Sequence, residues 1–329
     1  MKKHITCLGI ETTSHTFGVG IIDGKGNIFA DIRDMYKGKP GWGIIPSEAA
    51  QHHKKYGREM IKKALEEART KGITKIDLVA YSAAPGLAPC LHAGINAAKE
   101  IAEELNADLI GVNHCLGHFS IGNLFVKMKD PVYIFVSGAN TQIVALEAGR
   151  YRIFGETLDT GMGNVLDKFG RELGIGFPAG PKIEEMAKKG SYIEMPYVVK
   201  GMDLSFSGIL TKSIDLLKKG VKKEDICYSM QETLFAMLTE VTERAMAHCN
   251  KKEALLIGGV AANKRLCEML DKMCKARNAK FGACPLKYSG DNGLQIAWQA
   301  IIEYNSGKRE KKSEIRPYER VDEVEVTWA

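Results

Sequence analysis

Apolar and polar positions along this chain fall into blocks, and the same order of blocks occurs twice. The first copy opens with ITCLGIE, a Thr/Ser-rich turn TTSHT, the run FGVGIID, the turn GKG and then NIFADI. That pattern predicts three β-strands joined by tight turns. The second copy, PVYIFVSGANTQIVALEAGRYRIFGETL, reads as strand, small-polar turn, strand, Gly turn and strand. Each triplet is followed by an apolar strand, a Gly-rich loop and a helix. These are IDLVAYSAAPGLAPCLHAGINAAKEIA in the first half and EALLIGGVAANKRLCEMLDKM in the second. A further strand and helix close each half, as DLIGVNHCLGHFSIGNLF and AKFGACPLKYSGDNGLQIAWQAII.

A duplication of this kind predicts an α/β protein of two similar lobes facing a cleft, each a mixed sheet with helices. The expected boundaries are 1–129 for the N-terminal lobe and 130–290 for the C-terminal lobe. A closing helix and tail, 291–329, would pack across the lobes. The second lobe carries an insertion of roughly residues 159–250. Within it Ile226, Met230, Leu234, Leu238, Val241 and Ala245 recur at helical spacing, which predicts a packed apolar stripe.

Composition changes this picture little. The chain has 329 residues, a net charge of +6 and ordinary apolar content. The mild basic excess is compatible with a polyanionic partner and does not identify one. Lysines group at 54–55, 62–63, 218–223 and 308–312, and such groups are mostly solvated faces. The eight cysteines are scattered with no C-x-x-C pair, which predicts free thiols in a reducing cytoplasm. The N-terminal apolar run is too short for a signal peptide core. No apolar run approaches the roughly 20 residues a membrane helix needs.

Candidate chemistry begins with NHCLGH, which places His114 and His118 four residues apart at a helix start. Such positions share one helix face about 5–6 Å apart, suited to two ligands on one transition metal. Two partly buried polar residues on a helix would give the same pattern. The peptidase motif H-E-x-x-H needs a glutamate as base, and Cys115 stands in that slot. In the second half the matching loop, SGDNG, carries Asp291. The repeat would bring it toward the histidines to complete a two-histidine, one-carboxylate set. A plain helix cap is the alternative. His52 and His53 are adjacent and should point about 100° apart on a helix, so joint chelation is not expected.

The hairpin turns at 11–16 and 137–142 are rich in small residues whose N–H groups can approach phosphate. GGVAANKRL adds a strand–loop–helix with Asn263 at the helix start, where a cap is again the plain reading. Asp167 on a probable helix, a turn at Gly180 and Glu184 complete a set that together predicts a nucleotide site.

The motifs NHCLGH, VSGANTQ, GETLDTGMGNVLDKF, PAGPKIEE, GMDLSFSG, LLIGGVAANKRL and SGDNG together resemble the tRNA N6-adenosine threonylcarbamoyltransferase family over essentially the whole chain. The EVEVTW ending resembles its archaeal and eukaryotic branch, the catalytic subunit of the KEOPS complex, formerly labelled a glycoprotease. The resemblance implies a duplicated two-lobed fold of the actin, sugar kinase and chaperone ATPase type. It implies one divalent metal, iron or zinc, on His114, His118 and Asp291. It also implies an adenine nucleotide (threonylcarbamoyl-adenylate, AMP or ATP) on Ser137, Gly138, Asp167, Gly180, Glu184 and Asn263. Glu11, in the first hairpin, is counted with these cofactor-binding residues. No side chain beyond the metal set is assigned a catalytic role, and no proton acceptor declares itself.

The implied activity is metal-dependent transfer of a threonylcarbamoyl group to the N6 amine of the adenosine beside the anticodon of tRNA. The implied partners are tRNA, a small protein kinase and further small subunits, with no membrane. Two departures stand out: Phe135 replaces the Tyr that usually precedes V-S-G, and Cys90 and His92 replace the more usual Ser and Arg. Rival readings are a sugar- or acetate-kinase-like phosphotransferase, a metallopeptidase and a nucleotide-switched binding scaffold. The first is disfavoured by a second hairpin without an acid, the second by the missing glutamate. An assay for product on tRNA separates the third.

Overall fold

A computed structural model describes residues 5–38, 43–310 and 312–328; the N-terminal lysines and Lys311 of the 308–312 group lie outside the described residues. The chain divides into two compact units, residues 1–124 with 291–329, and residues 125–290.

In the first unit β1 (Thr6–Glu11), β2 (Thr16–Asp23) and β3 (Ile28–Met35) form an antiparallel meander. Helix α1 (Pro46–Thr70) leads to β4 (Leu78–Ala84), and α2 (Ala88–Leu105) leads to β5 (Asp108–Asn113). The order is β3-β2-β1-β4-β5, with β4 parallel to β1 and β5 parallel to β4. Proline falls in the first turn of both helices, where its missing N–H costs nothing. Every residue of β4 is buried, as befits a strand covered on both faces. Leu8, Ile10, Phe17, Val19, Ile21 and Tyr81 are the centre of this core. Helix α3 (His114–Val126) starts where β5 ends.

The second unit repeats the plan. Strands β6 (Val132–Val136), β7 (Thr141–Glu147) and β8 (Arg150–Glu156) form the meander. The insertion follows as α4 (Met162–Glu172), α5 (Gly180–Ala187), the two-residue strands β9 (Val199–Lys200) and β10 (Asp203–Leu204), α6 (Ser207–Lys218) and α7 (Lys223–His248). Then come β11 (Glu253–Ile257), α8 (Lys264–Ala276), β12 (Lys280–Ala283) and the short α9 (Leu286–Ser289). The sheet order is β12-β11-β6-β7-β8, with β11 parallel to both β6 and β12. Strand for strand this matches the first sheet, so the duplication read from the apolar blocks is real. All six residues of the α7 stripe are fully buried in this unit's core.

Helix α10 (Gly293–Asn305) belongs to the first unit and packs on β1 and β2. Its seat depends on three glycines. A Cβ on Gly9 would lie 2.3 Å from the Gly293 carbonyl oxygen, and one on Gly20 would lie 2.3 Å from Leu294 N. A Cβ on Gly293 would lie 2.2 Å from Gly20 N. Backbone thus meets backbone, and Asp291, two residues ahead of the helix, is placed by that contact. Among the described residues no helix is long and apolar enough to cross a membrane.

Candidate functional site

The end of β5, the start of α3 and the start of α10 bring three donor atoms together. His118 Nε2 lies 3.1 Å from His114 Nε2 and 3.3 Å from Asp291 Oδ1, and His114 Nε2 lies 3.6 Å from the same oxygen. Ligands about 2.0–2.1 Å from a tetrahedral metal are spaced roughly 3.3–3.4 Å apart, within the span seen here. Both histidines are buried. Among the described residues this is the one group of three or more such side chains able to share an ion.

Asp291 is available because it is not a cap. Asn292 caps α10, its side-chain oxygen accepting from Gln295 N at 3.0 Å. That leaves the aspartate carboxylate pointed at the histidines.

The second nitrogen of His114 is also committed. Its Nδ1 lies 2.8 Å from Oε2 of Glu11, the last residue of β1, which is fully buried. The other carboxylate oxygen of Glu11 accepts from Thr13 N at 2.7 Å and from the Thr13 hydroxyl. With Nδ1–H donated to Glu11, it is Nε2 of His114 that faces the other two donor atoms. The Gln295 side-chain amide lies 3.1 Å from the same Nδ1. Asn113 precedes the pair and accepts from Cys115 N at 3.0 Å, holding the strand-to-helix turn.

Burial alone would discourage charge on His114, but Glu11 and Asp291 outweigh it and raise its pKa to about 9. For His118 burial wins and the pKa is lowered. The carboxyl of Asp291 is only part-buried, and the hydrogen bond from His118 and the His114 charge hold it well below the usual range against the cost of that burial. Burial pushes the Cys115 thiol up to about 12, so it is a packed residue and no nucleophile. A proton on either Nε2 satisfies one neighbour and leaves another lone pair facing its like. A cation satisfies all three, and the donor set fits one.

The remaining expected site residues lie in the second unit, linked in a chain of hydrogen bonds. Ser137 and Gly138 form the exposed turn between β6 and β7; their carbonyls accept from Gly163 N at 3.1 Å and Asn164 N at 2.9 Å, at the start of α4. Asp167, on α4, accepts from Ala179 N at 2.8 Å, beside Gly180 at the start of α5. Half-burial raises its pKa. Glu184, on α5, accepts from Lys264 N at 2.9 Å, beside Asn263. Asn263 is the N-cap of α8, accepting from Leu266 N at 3.0 Å, and its Nδ2 donates to Gln231 Oε1 at 3.2 Å. All six therefore sit on linked loops and helices of the second unit. Glu11 belongs to the first unit, where it meets His114.

Three features were not legible as function. Phe135 is fully buried on β6, paired with Gln142 and Ile257. His52 and His53 do meet, Nδ1 to Nδ1 at 3.4 Å, while His53 Nε2 donates to the Ser14 carbonyl at 2.9 Å. Asp159 gathers Ser205 Oγ at 2.7 Å, Ser207 N at 2.9 Å and Phe206 N at 3.0 Å. Those donors hold its carboxyl far below the usual range against the cost of burial. Nothing in LDTG alone marks Asp159, because these three partners lie more than 40 residues away.

Sequence comparison bears on what these groups do. A tRNA N6-adenosine threonylcarbamoyltransferase from Thermococcus sibiricus is 50% identical over 98% of this chain and 99% of its own length. One from Thermococcus kodakarensis is 50% identical over 98% and 99%. A probable bifunctional tRNA threonylcarbamoyladenosine biosynthesis protein of Methanosarcina acetivorans is 50% identical over 99% of this chain, which spans only 60% of that longer relative. In fold the chain is similar to HypF of T. kodakarensis, with a TM-score of 0.62, 17% identity, and coverage of 92% of this chain and 47% of that one. It is also similar to the ADPNP-bound activator of a Clostridium difficile 2-hydroxyisocaproyl-CoA dehydratase, with a TM-score of 0.53, 12% identity, and coverage of 94% and 100%. The family model described as tRNA N6-adenosine threonylcarbamoyltransferase matches residues 27–298, and this chain belongs to that family.

Proposed function

We propose that this protein transfers the threonylcarbamoyl group of threonylcarbamoyl-adenylate to the N6 amine of the adenosine beside the anticodon of tRNA, releasing AMP. The observation that carries the metal-dependent form of this reading is the convergence of two imidazole nitrogens and one carboxylate oxygen, with Glu11 behind His114. His114, His118 and Asp291 would hold one divalent ion, iron or zinc. Bound there, the ion supplies Lewis acidity for the carbonyl, carboxylate or phosphate of the substrate.

The chain's own groups do the rest. Glu11 keeps the Nδ1 proton of His114 in place, so that Nε2 presents its lone pair. Ser137, Gly138, Asp167, Gly180, Glu184 and Asn263 would take the adenylate. N–H groups at the exposed Gly138–Ala139 tip can donate to its phosphate as charge develops on the leaving group. The target amine sits in a single-stranded loop and is splayed out at little stacking cost. Its proton goes to substrate phosphate or to water.

The family reading also supports a cytoplasmic assembly with a small protein kinase and further small subunits. The test is to supply protein, partner subunits, threonylcarbamoyl-adenylate and unmodified tRNA, then digest the tRNA for mass spectrometry. Threonylcarbamoyladenosine and equimolar AMP are expected. Absence of the modified nucleoside with all components present overturns the reading.

A further inference from the structure

After α10 the chain returns to β4 and β5 of its own unit. Glu310 Oε2 accepts from Gly111 N on β5 at 2.7 Å, and its Oε1 lies 3.3 Å from the Tyr81 hydroxyl on β4. Arg316 N donates to the Ala83 carbonyl at 2.7 Å, and Gly86 N donates to the Pro317 carbonyl at 3.1 Å. Ile315 packs on the core of this unit, and Val321 is buried. Glu310 and residues 314–321 thus form a strap anchored on β4, β5 and the loop after β4.

One contact of the strap reaches the residue in front of the first histidine. Asn113, the last residue of β5, is buried, and its Oδ1 accepts from Cys115 N at 3.0 Å, the contact of a helix cap. Its Nδ2 donates to Glu319 Oε2 at 3.2 Å and lies 3.5 Å from the Glu319 carbonyl oxygen. Glu319 Oε1 is held in turn by Arg316 Nε at 2.6 Å. A side-chain amide has one accepting and one donating end, so an acceptor at Nδ2 fixes which end faces Cys115. His114 opens α3, and the first N–H groups of a helix have no intrahelical partner. A ligand at that position is only as well placed as the cap, whereas His118 sits a turn further in. Glu11 orients the His114 ring; the cap holds the backbone that carries it.

We propose that Glu319 is a positioning residue of the metal centre, acting through Asn113 to hold the turn from which His114 reaches the ion. The inference rests on the metal-dependent reading above. Without Glu319 the Asn113 amide can rotate away from Cys115 N, and metal binding must first order the turn. That ordering cost is subtracted from the affinity. The contact joins residues 206 apart in sequence, which gives the end of the chain a part in the metal centre.

The experiment titrates the metal-free full chain with Co²⁺, following its visible absorbance, with circular dichroism of each variant as the fold control. Glu319→Gln is nearly isosteric. Its one oxygen serves Arg316, and its amide then meets the Asn113 amide donor to donor. Affinity for Co²⁺ should fall about two- to thirtyfold, the equivalent of a lost helix cap. Hydrogen exchange at the Cys115 amide should quicken in the metal-free variant, with the β1 amides protected as in wild type. Glu319→Ala, which removes the contact without the donor clash, should change both readings in the same direction. Asn113→Ala should weaken binding by a similar factor, and adding Glu319→Gln to it should weaken binding no further, because the effect runs through Asn113. A merely structural loss would multiply with it. Wild-type affinity or wild-type Cys115 exchange in a folded Glu319 variant overturns the proposal, as do losses that multiply in the double variant; each leaves the metal centre standing. Wild-type protein that binds no Co²⁺ overturns the metal centre itself, and the proposal with it.

Discussion

Glu11 and His114, 103 residues apart in sequence, meet at 2.8 Å between a fully buried carboxylate oxygen and Nδ1 of the ring. This contact decides which face of the imidazole is left for a ligand. Carboxylates behind a ligating histidine typically contribute 10–100-fold to metal affinity. Glu11→Gln should therefore weaken metal binding by about that factor without emptying the site, as read by competition with a chromophoric chelator. Unchanged affinity would show that Glu11 only packs the hairpin.

Metal uptake should depend on pH in a defined direction. The metal-free ring of His114 holds its proton up to about pH 9, whereas His118 is already neutral near pH 7. A metal needs both lone pairs, so binding near pH 7 should release close to one proton. Affinity should climb about tenfold per pH unit from about 7 to 9 and then level off. Calorimetry in buffers of different ionisation enthalpy counts the proton, and a count near zero would contradict the Glu11–His114–Asp291 arrangement.

Asn263 has two duties that one substitution can separate. Asn263→Ala removes the α8 cap, worth about 0.5–2 kcal/mol, and leaves Gln231 without its partner. Thermal unfolding should shift down by a few degrees, at about 2–4 °C per kcal/mol for a protein of this size class. Asn263→Ser keeps a capping oxygen and should recover most of the stability. If Asn263 also touches the adenylate, AMP affinity will remain weakened in Asn263→Ser although the fold is restored.

Asp159 ties residues 205–207 to the loop after β8, and that loop in turn packs on the 137–140 turn, since a Cβ on Gly161 would lie 2.3 Å from the Ala139 carbonyl oxygen. Asp159→Ala should speed hydrogen exchange at the Phe206 and Ser207 amides and leave the α7 core protected. Protection at those two amides equal to wild type would mean that the carboxylate is not what closes them. Because the folded-state carboxyl is depressed, this tether is fully present at neutral pH. It weakens only as pH falls below the ordinary aspartate range.

Much of this was legible before any coordinates. Strand and helix periods exposed the duplication, because each half buries its own sheet and must repeat the same apolar blocks. The spacing of His114 and His118 announced a shared helix face, and the repeat pointed to Asp291. What spacing could not resolve was which of two adjacent cap-forming residues caps α10; the structure assigns Asn292 and so leaves Asp291 for the histidines. Glu11 looked like a hairpin acid suited to a nucleotide, since nothing local marks a partner that far along the chain. Asn263 has both uses open, because a helix-starting asparagine satisfies its own backbone first. Adjacent histidines on a helix diverge at Cβ, yet the rings of His52 and His53 turn back to meet, which rotamers and not residue spacing determine.

Elemental analysis of wild-type and His114→Ala protein, purified side by side and checked for equal helical content, tests the metal centre most directly. The three converging donor atoms predict close to one iron or zinc per wild-type chain and almost none in the variant. Equal metal in the two proteins would contradict the assignment of His114, His118 and Asp291.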